Sequence, residues 1–153
     1  MVSRDKASPG RIDAFRLARE HGVVEGSVDP HRLSRIADLL SEGPASIGWR
    51  IEGSADASGR PTLGIELSGA VTLTCQLCLA DFEWPIDQRT EVLLAHDERE
   101  TAALDAESSS EVVQVQGAVD PVALVEDELV LALPFSPRHP DGVCDDTNTT
   151  RRA

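Results

Sequence analysis

The chain has 153 residues, only 3% aromatics and a formal net charge of −13. That length suits one domain with a core of Leu, Val, Ile and Ala. No apolar run approaches the ~20 residues of a membrane-spanning helix, and MVSRDKASPGRIDAF lacks the apolar stretch of an export signal, so a cytoplasmic location is expected. The charge is uneven. Residues 1–50 hold eight Lys/Arg and seven Asp/Glu and the remainder six and twenty, a balance of +1 against −14. An acidic body repels phosphate backbones and attracts basic proteins. The plain alternative is that the acidity only aids solubility.

In chain order, residues 1–8 read as a loose tail. Pro9 to His21 predicts a short helix, with Ile12, Phe15 and Ala18 on one face and Gly22 ending it. Arg11, Arg16 and Arg19 give it a basic side, either a contact for RNA phosphate or a solvated face. Asp29-Pro30 is a cap followed by proline. Leu33, Ile36, Ala37 and Leu40 then follow at helical spacing until Gly43-Pro44. In SIGWRIEG, the alternation of Ile47, Trp49 and Ile51 predicts a strand, with a turn at residues 57–60. From Leu63 to Cys75 the apolar residues Leu63, Ile65, Leu67, Val71, Leu73 and Cys75 all occupy odd positions. This predicts one long strand, or two in register with a bulge at Gly69. Phe82, Trp84, Ile86, Val92 and Leu94 occupy even positions, a returning strand interrupted near Asp87. Residues 97–110 read as an acidic mobile loop and EVVQVQ as a short strand.

The stretch Val119–Cys144 organises the rest. Asp120 caps a helix whose first position is Pro121, where a missing N–H costs nothing. Val122, Val125, Leu129 and Leu133 form its apolar stripe, Glu126, Asp127 and Glu128 fall mostly off it, and Pro134 stops it. A buried strand over ELVLALPF is the competing reading. The expected architecture is α+β: an antiparallel sheet with a Cys-x-x-Cys hairpin tip, flanked by two N-terminal helices and one C-terminal helix. A single domain spans 9–144, with flexible tails at 1–8 and 145–153.

Three cysteines in a chain with no export signal argue against a disulfide framework. Cys75 and Cys78 share the hairpin tip, where a two-residue gap lets a tight turn present two thiolates to one ion. His139 and Cys144 complete a candidate tetrahedral zinc set. Reduced cysteines without metal, or a redox pair, fit the same spacing. The redox reading lacks the strand-to-helix junction that lowers a thiol pKa in such pairs. His21, His31 and His96 have no partner cysteines at ligand spacing. No nucleophile elbow, phosphate loop or zinc-protease motif is present.

Two of these stretches carry a resemblance. Leu73–Phe82 (LTCQLCLADF) and Val119–Cys144 (VDPVALVEDELVLALPFSPRHPDGVC) resemble the YceD family of large ribosomal RNA subunit accumulation proteins. The first is similar to that family's Cys-x-x-Cys turn and following aromatic. The second is similar to its Asp-start helix, its Val-Glu-Asp-Glu-Leu run, its Ala-Leu-Pro stop, and the His and Cys beyond. The resemblance implies a small α+β bacterial protein that supports accumulation of 23S ribosomal RNA, with no known enzymatic reaction. Two departures stand out. The family's arginine between the cysteines is absent, Leu77 following Gln76 here, and DDTNTTRRA stands where many members carry a basic Leu-Lys-rich tail.

The function expected is therefore that of a non-enzymatic factor for large ribosomal subunit biogenesis. Its acidic body would bind a basic ribosomal or assembly protein, with Glu126, Asp127 and Glu128 as candidate docking residues and 23S RNA reached indirectly. The alternative class is a thiol oxidoreductase, or a zinc-stabilised adaptor, using Cys75 and Cys78.

Overall fold

The long alternation that starts at Leu63 becomes the spine of the fold. A computed structural model describes residues 10–107, 110–134 and 136–138. Along the chain lie β1 (Ile12–Asp13), α1 (Ala14–Glu20), β2 (Val23–Val28), a 3-10 turn (Pro30–Arg32) and α2 (Ser34–Ala37). Then come β3 (Ser46–Ala55), β4 (Pro61–Thr74), β5 (Asp81–Ala95), α3 (Glu98–Glu107), β6 (Glu111–Gln114), β7 (Ala118–Val119) and α4 (Pro121–Ala132). The architecture is α+β. One five-stranded sheet has the order β2-β3-β4-β5-β6, and β1 pairs with β7 in a two-stranded ribbon beside it.

Alternation decides the two faces of the sheet, because successive side chains point to opposite sides. On the covered face lie Ile47, Trp49 and Ile51 from β3, Leu63, Ile65, Leu67, Val71 and Leu73 from β4, and Ile86, Val92 and Leu94 from β5, all buried. Leu124, Val125 and Leu129 of α4 and Ala14 and Ala18 of α1 join the same core. α1 lies so close to β3 that a Cβ added at Gly53 would stand 2.1 Å from the Leu17 carbonyl oxygen. A glycine and two alanines thus set the helix-to-sheet distance. On the opposite face, among the described residues, only α3 packs, through Leu104 against Leu93, Ala95 and Val112.

Several elements differ from expectation. The first helix begins at Ala14 instead of Pro9, because Ile12 and Asp13 pair with Val119 and Ala118 and Asp13 accepts from the Arg16 amide at 3.1 Å. The second N-terminal helix shrinks to the 3-10 turn and four residues of α2, because buried Leu33 between them is extended. The chain beyond α2 then leaves helical geometry, and the Ser41 amide donates to the Thr72 carbonyl of β4 at 2.9 Å. β2 is a strand that the residue pattern over Val23–Val28 does not predict. β4 is the one long strand of the two expected forms, and it pairs with β5 in one unbroken register, with no bulge at Gly69 and no interruption near Asp87. Gly69 is needed for another reason: its φ is +146° and an added Cβ would meet the Ser46 carbonyl oxygen at 2.1 Å.

The region read as a mobile loop is α3 over most of its length. Asp97 accepts from the Glu100 amide at 2.8 Å, and Glu100 reaches back to the His96 amide at 2.6 Å, a reciprocal cap for the helix start. This helix carries the chain from β5 across to β6, which is why β6 runs parallel to β5. The sheet is accordingly mixed, antiparallel at three junctions and parallel at the fourth.

Candidate functional site

Pairing of β4 with β5 runs out to Thr74 and Asp81, so residues 75–80 close the hairpin. The Leu79 amide donates to the Cys75 carbonyl at 2.8 Å and the Cys75 amide to the Ala80 carbonyl at 2.9 Å. Leu79, directly after Cys78, has φ +65°, a left-handed conformation that costs a side-chain-bearing residue about 1–2 kcal/mol. The Cys75 side chain is buried and Cys78 partly so. The Leu77 amide donates to the Cys75 sulfur at 3.4 Å. This bond fixes the orientation of the buried sulfur within the turn.

The chain beyond α4 returns to this turn. α4 forms as expected: Asp120 caps the Val122 amide at 2.9 Å, Pro121 opens the helix, and Leu133 closes it by donating to the Leu129 carbonyl at 3.1 Å. The strand reading of ELVLALPF is excluded over Glu128–Ala132. After the helix the Pro137 carbonyl accepts from the Gln76 amide at 2.8 Å, which holds the segment against the cysteine turn two residues before His139. His139 and Cys144 themselves lie outside the described residues, and among the described residues no three potential ligands gather.

The acidic run on α4 separates into two roles. Glu126 accepts from the Arg35 amide at 2.8 Å, and Asp127 pairs with the Arg35 guanidinium, so both carboxylates tie α2 to α4. Glu128 is only 3% exposed, contrary to the expectation that it lies off the packed face. Its burial pushes the carboxyl pKa up, and the charge of Glu111 on β6 adds to the shift. The physical reason is rotation. Leu124, Val125 and Leu129 turn the packed face toward position 128, leaving Leu131 68% exposed.

Two of the N-terminal arginines expected to offer a basic face are engaged within the chain. Arg16 pairs with Glu20 at 3.0 Å, and Arg11 donates to the Ala118 carbonyl at 3.3 Å. His96 stacks on Phe15, ring centroids 3.8 Å apart, and its Nδ1 lies 2.9 Å from Glu100.

The hairpin, its cysteine turn, the α4 cap and the segment that returns at Pro137 are thus held together by these contacts. The family model described as large ribosomal RNA subunit accumulation protein YceD matches residues 63–152, more than half of the chain. The chain belongs to the YceD family. The match begins inside β4, so the family signature covers the two long strands, the cysteine turn and α4, while α1, α2, β2 and β3 precede it. No solved structure matches the chain. The YceD family name attaches the chain to accumulation of large-subunit ribosomal RNA. No helix among the described residues is long and apolar enough to cross a membrane.

Proposed function

We propose that the chain is a non-enzymatic factor that supports 23S ribosomal RNA accumulation and large-subunit biogenesis through a basic protein partner, in the cytoplasm. Membership in the YceD family carries this reading. Its support in the chain is the charge of −14 carried by residues 51–153, which disfavours direct docking on RNA and favours a basic ribosomal or assembly protein. The test is a pull-down from a cell extract at low and moderate salt, with protein and RNA both identified. Recovery of large-subunit proteins together with 23S RNA, lost after nuclease or salt, is the expected result for work on ribosomal precursors. A single basic protein without RNA also fits, as a docking role. Recovery of neither would overturn the proposal.

A second role at the cysteine turn is structural zinc held by Cys75, Cys78, His139 and Cys144. The Leu77 amide-to-sulfur bond and the contact of Gln76 with Pro137 favour it. The ion would tie the hairpin tip to the segment after α4, much as a clasp, and would supply no reaction. Metal analysis of the purified chain tests it directly: about one zinc per chain is expected, and none would overturn it.

A further inference from the structure

The face of the sheet opposite the core is only partly covered. α3 shields its β5–β6 end, and among the described residues nothing packs on it across β2 to β5. Two neighbouring rows of side chains cross this open face. One is Glu25, Arg50, Glu66 and Arg89, each paired in register with the next. The other is Ser27, Gly48, Ser68 and Asp87, also in register. The second row is low, because its first three residues are small. Three shallow depressions, of about 560, 490 and 360 Å³, meet along it, and Ser68 lines all three.

The charges around this trough are unequal. Arg89 lies 2.9 Å from Glu66 and 3.6 Å from Glu91, and Arg50 lies 3.4 Å from Glu52 and 3.9 Å from Glu25. Each arginine is therefore flanked by two carboxylates of its own chain. Asp87 and Glu83 are also exposed on this face, so six carboxylates face two arginines, a residual charge of 2 − 6 = −4. From Ser27 to Asp87 the trough crosses three strand spacings, roughly 14 Å, the span of about four extended residues.

We propose that this open face docks an extended, lysine- or arginine-rich segment of a partner protein. The backbone of the segment would lie over Ser27, Gly48 and Ser68, with its cations between Glu25, Glu66, Glu83 and Asp87. An RNA backbone would bring like charge to the same face and is disfavoured there. Exposed ion pairs are individually weak, so the affinity is modest and falls steeply with salt. The proposal rests on the reading of a basic protein partner and adds the surface and the shape of what binds.

The test uses the full chain and a labelled decapeptide of alternating lysine and serine, with a uridine decamer as the RNA probe. The peptide is expected to bind at low salt. Ser68→Arg, which fills the meeting point of the depressions, should weaken binding by about fivefold or more, and so should Asp87→Lys. Asp105→Lys on the exposed side of α3 makes the same charge change elsewhere and should leave binding within about twofold. Melting curves establish that each variant is folded, and if Ser68→Arg is not, exposed Asp87→Lys decides alone. Absence of peptide binding, equal weakening by Asp105→Lys, or binding of the uridine decamer in place of the peptide would each overturn the proposal. The surface and the function fail separately. If Asp87→Lys still recovers the same basic partner from extract as the parent chain, this surface is wrong and the assembly role stands. If the parent chain recovers no partner at all, the assembly role is wrong.

Discussion

At the scale of single residues, two positions show how little room the fold leaves. Gly53 carries α1: an added methyl would lie 2.1 Å from the Leu17 carbonyl oxygen and 2.6 Å from the Ala18 Cα, both backbone atoms that move only with the helix. Gly53→Ala should destabilise the chain by about 2–3 kcal/mol, as overpacking against an unyielding neighbour does. Denaturant unfolding checks this, and an unchanged midpoint would mean α1 is free to shift. Glu128 is the second position. Its carboxyl pKa is raised above the ordinary 4.5, first by burial and then by the charge of Glu111. A raised folded-state pKa means that the contribution to stability is fully present below the unfolded value and is lost as pH rises through the folded value. The chain should therefore lose stability as pH rises from about 4.5 into that window. Glu128→Gln keeps the shape, removes the charge, and should raise the melting temperature at neutral pH while flattening its pH dependence over the same range. A variant that melts lower than the parent at neutral pH would show that the ionised carboxylate is stabilising.

At the scale of elements, the cysteine hairpin and α4 depend on local signals that act in tertiary contacts. Asp120 caps α4, and Asp120→Ala should cost about 1 kcal/mol, read from denaturant unfolding. In the turn, Leu79→Gly should relieve the left-handed strain at φ +65° and stabilise the chain by up to about 1 kcal/mol after the extra entropy of an unfolded glycine is subtracted. If zinc is held there, Cys75→Ser should release the metal and lower the melting temperature, and a chelator should do the same to the parent chain but not to the variant. Equal melting of parent and variant, with or without chelator, would remove the clasp. The cap of α4 and the odd-then-even alternation around the cysteines are visible in the residue order itself, because a cap and a strand face each depend on neighbours within a few positions. α3 has an equally local signal in Asp97 and Glu100. It is hard to see because its apolar content is slight, with Leu104 its only buried residue.

At the scale of the whole molecule, the sheet's two faces have different work. One is closed by α1, α2 and α4 around a core of aliphatic residues, and the other keeps a ladder of alternating charges that stays in water. Surface ion pairs of this kind contribute roughly 0–1 kcal/mol each, so the ladder is a weak source of stability and a better source of partner selection. Stability should accordingly change little between low and moderate salt while partner capture in a pull-down falls sharply. Parallel loss of both would mean that the ladder holds the fold instead.

By itself the residue order determined the α+β class, the long β4–β5 hairpin with its cysteine turn, the start and end of α4, and the motifs that resemble the YceD family, since each depends on short-range periodicity, capping or spacing. The tertiary structure decided what depends on distant partners. β2 carries little apolar alternation of its own and is recruited by pairing with β3, where the Trp49 ring lies over Gly26. β6 runs parallel because a helix intervenes before it, and α2 stays short because Leu33 is drawn into the core. Glu126, Asp127 and Glu128 look alike in a charge run. Only the packing of α4 against α2 and the sheet gives the first two an arginine and buries the third, because a carboxylate's role is set by what faces it after folding.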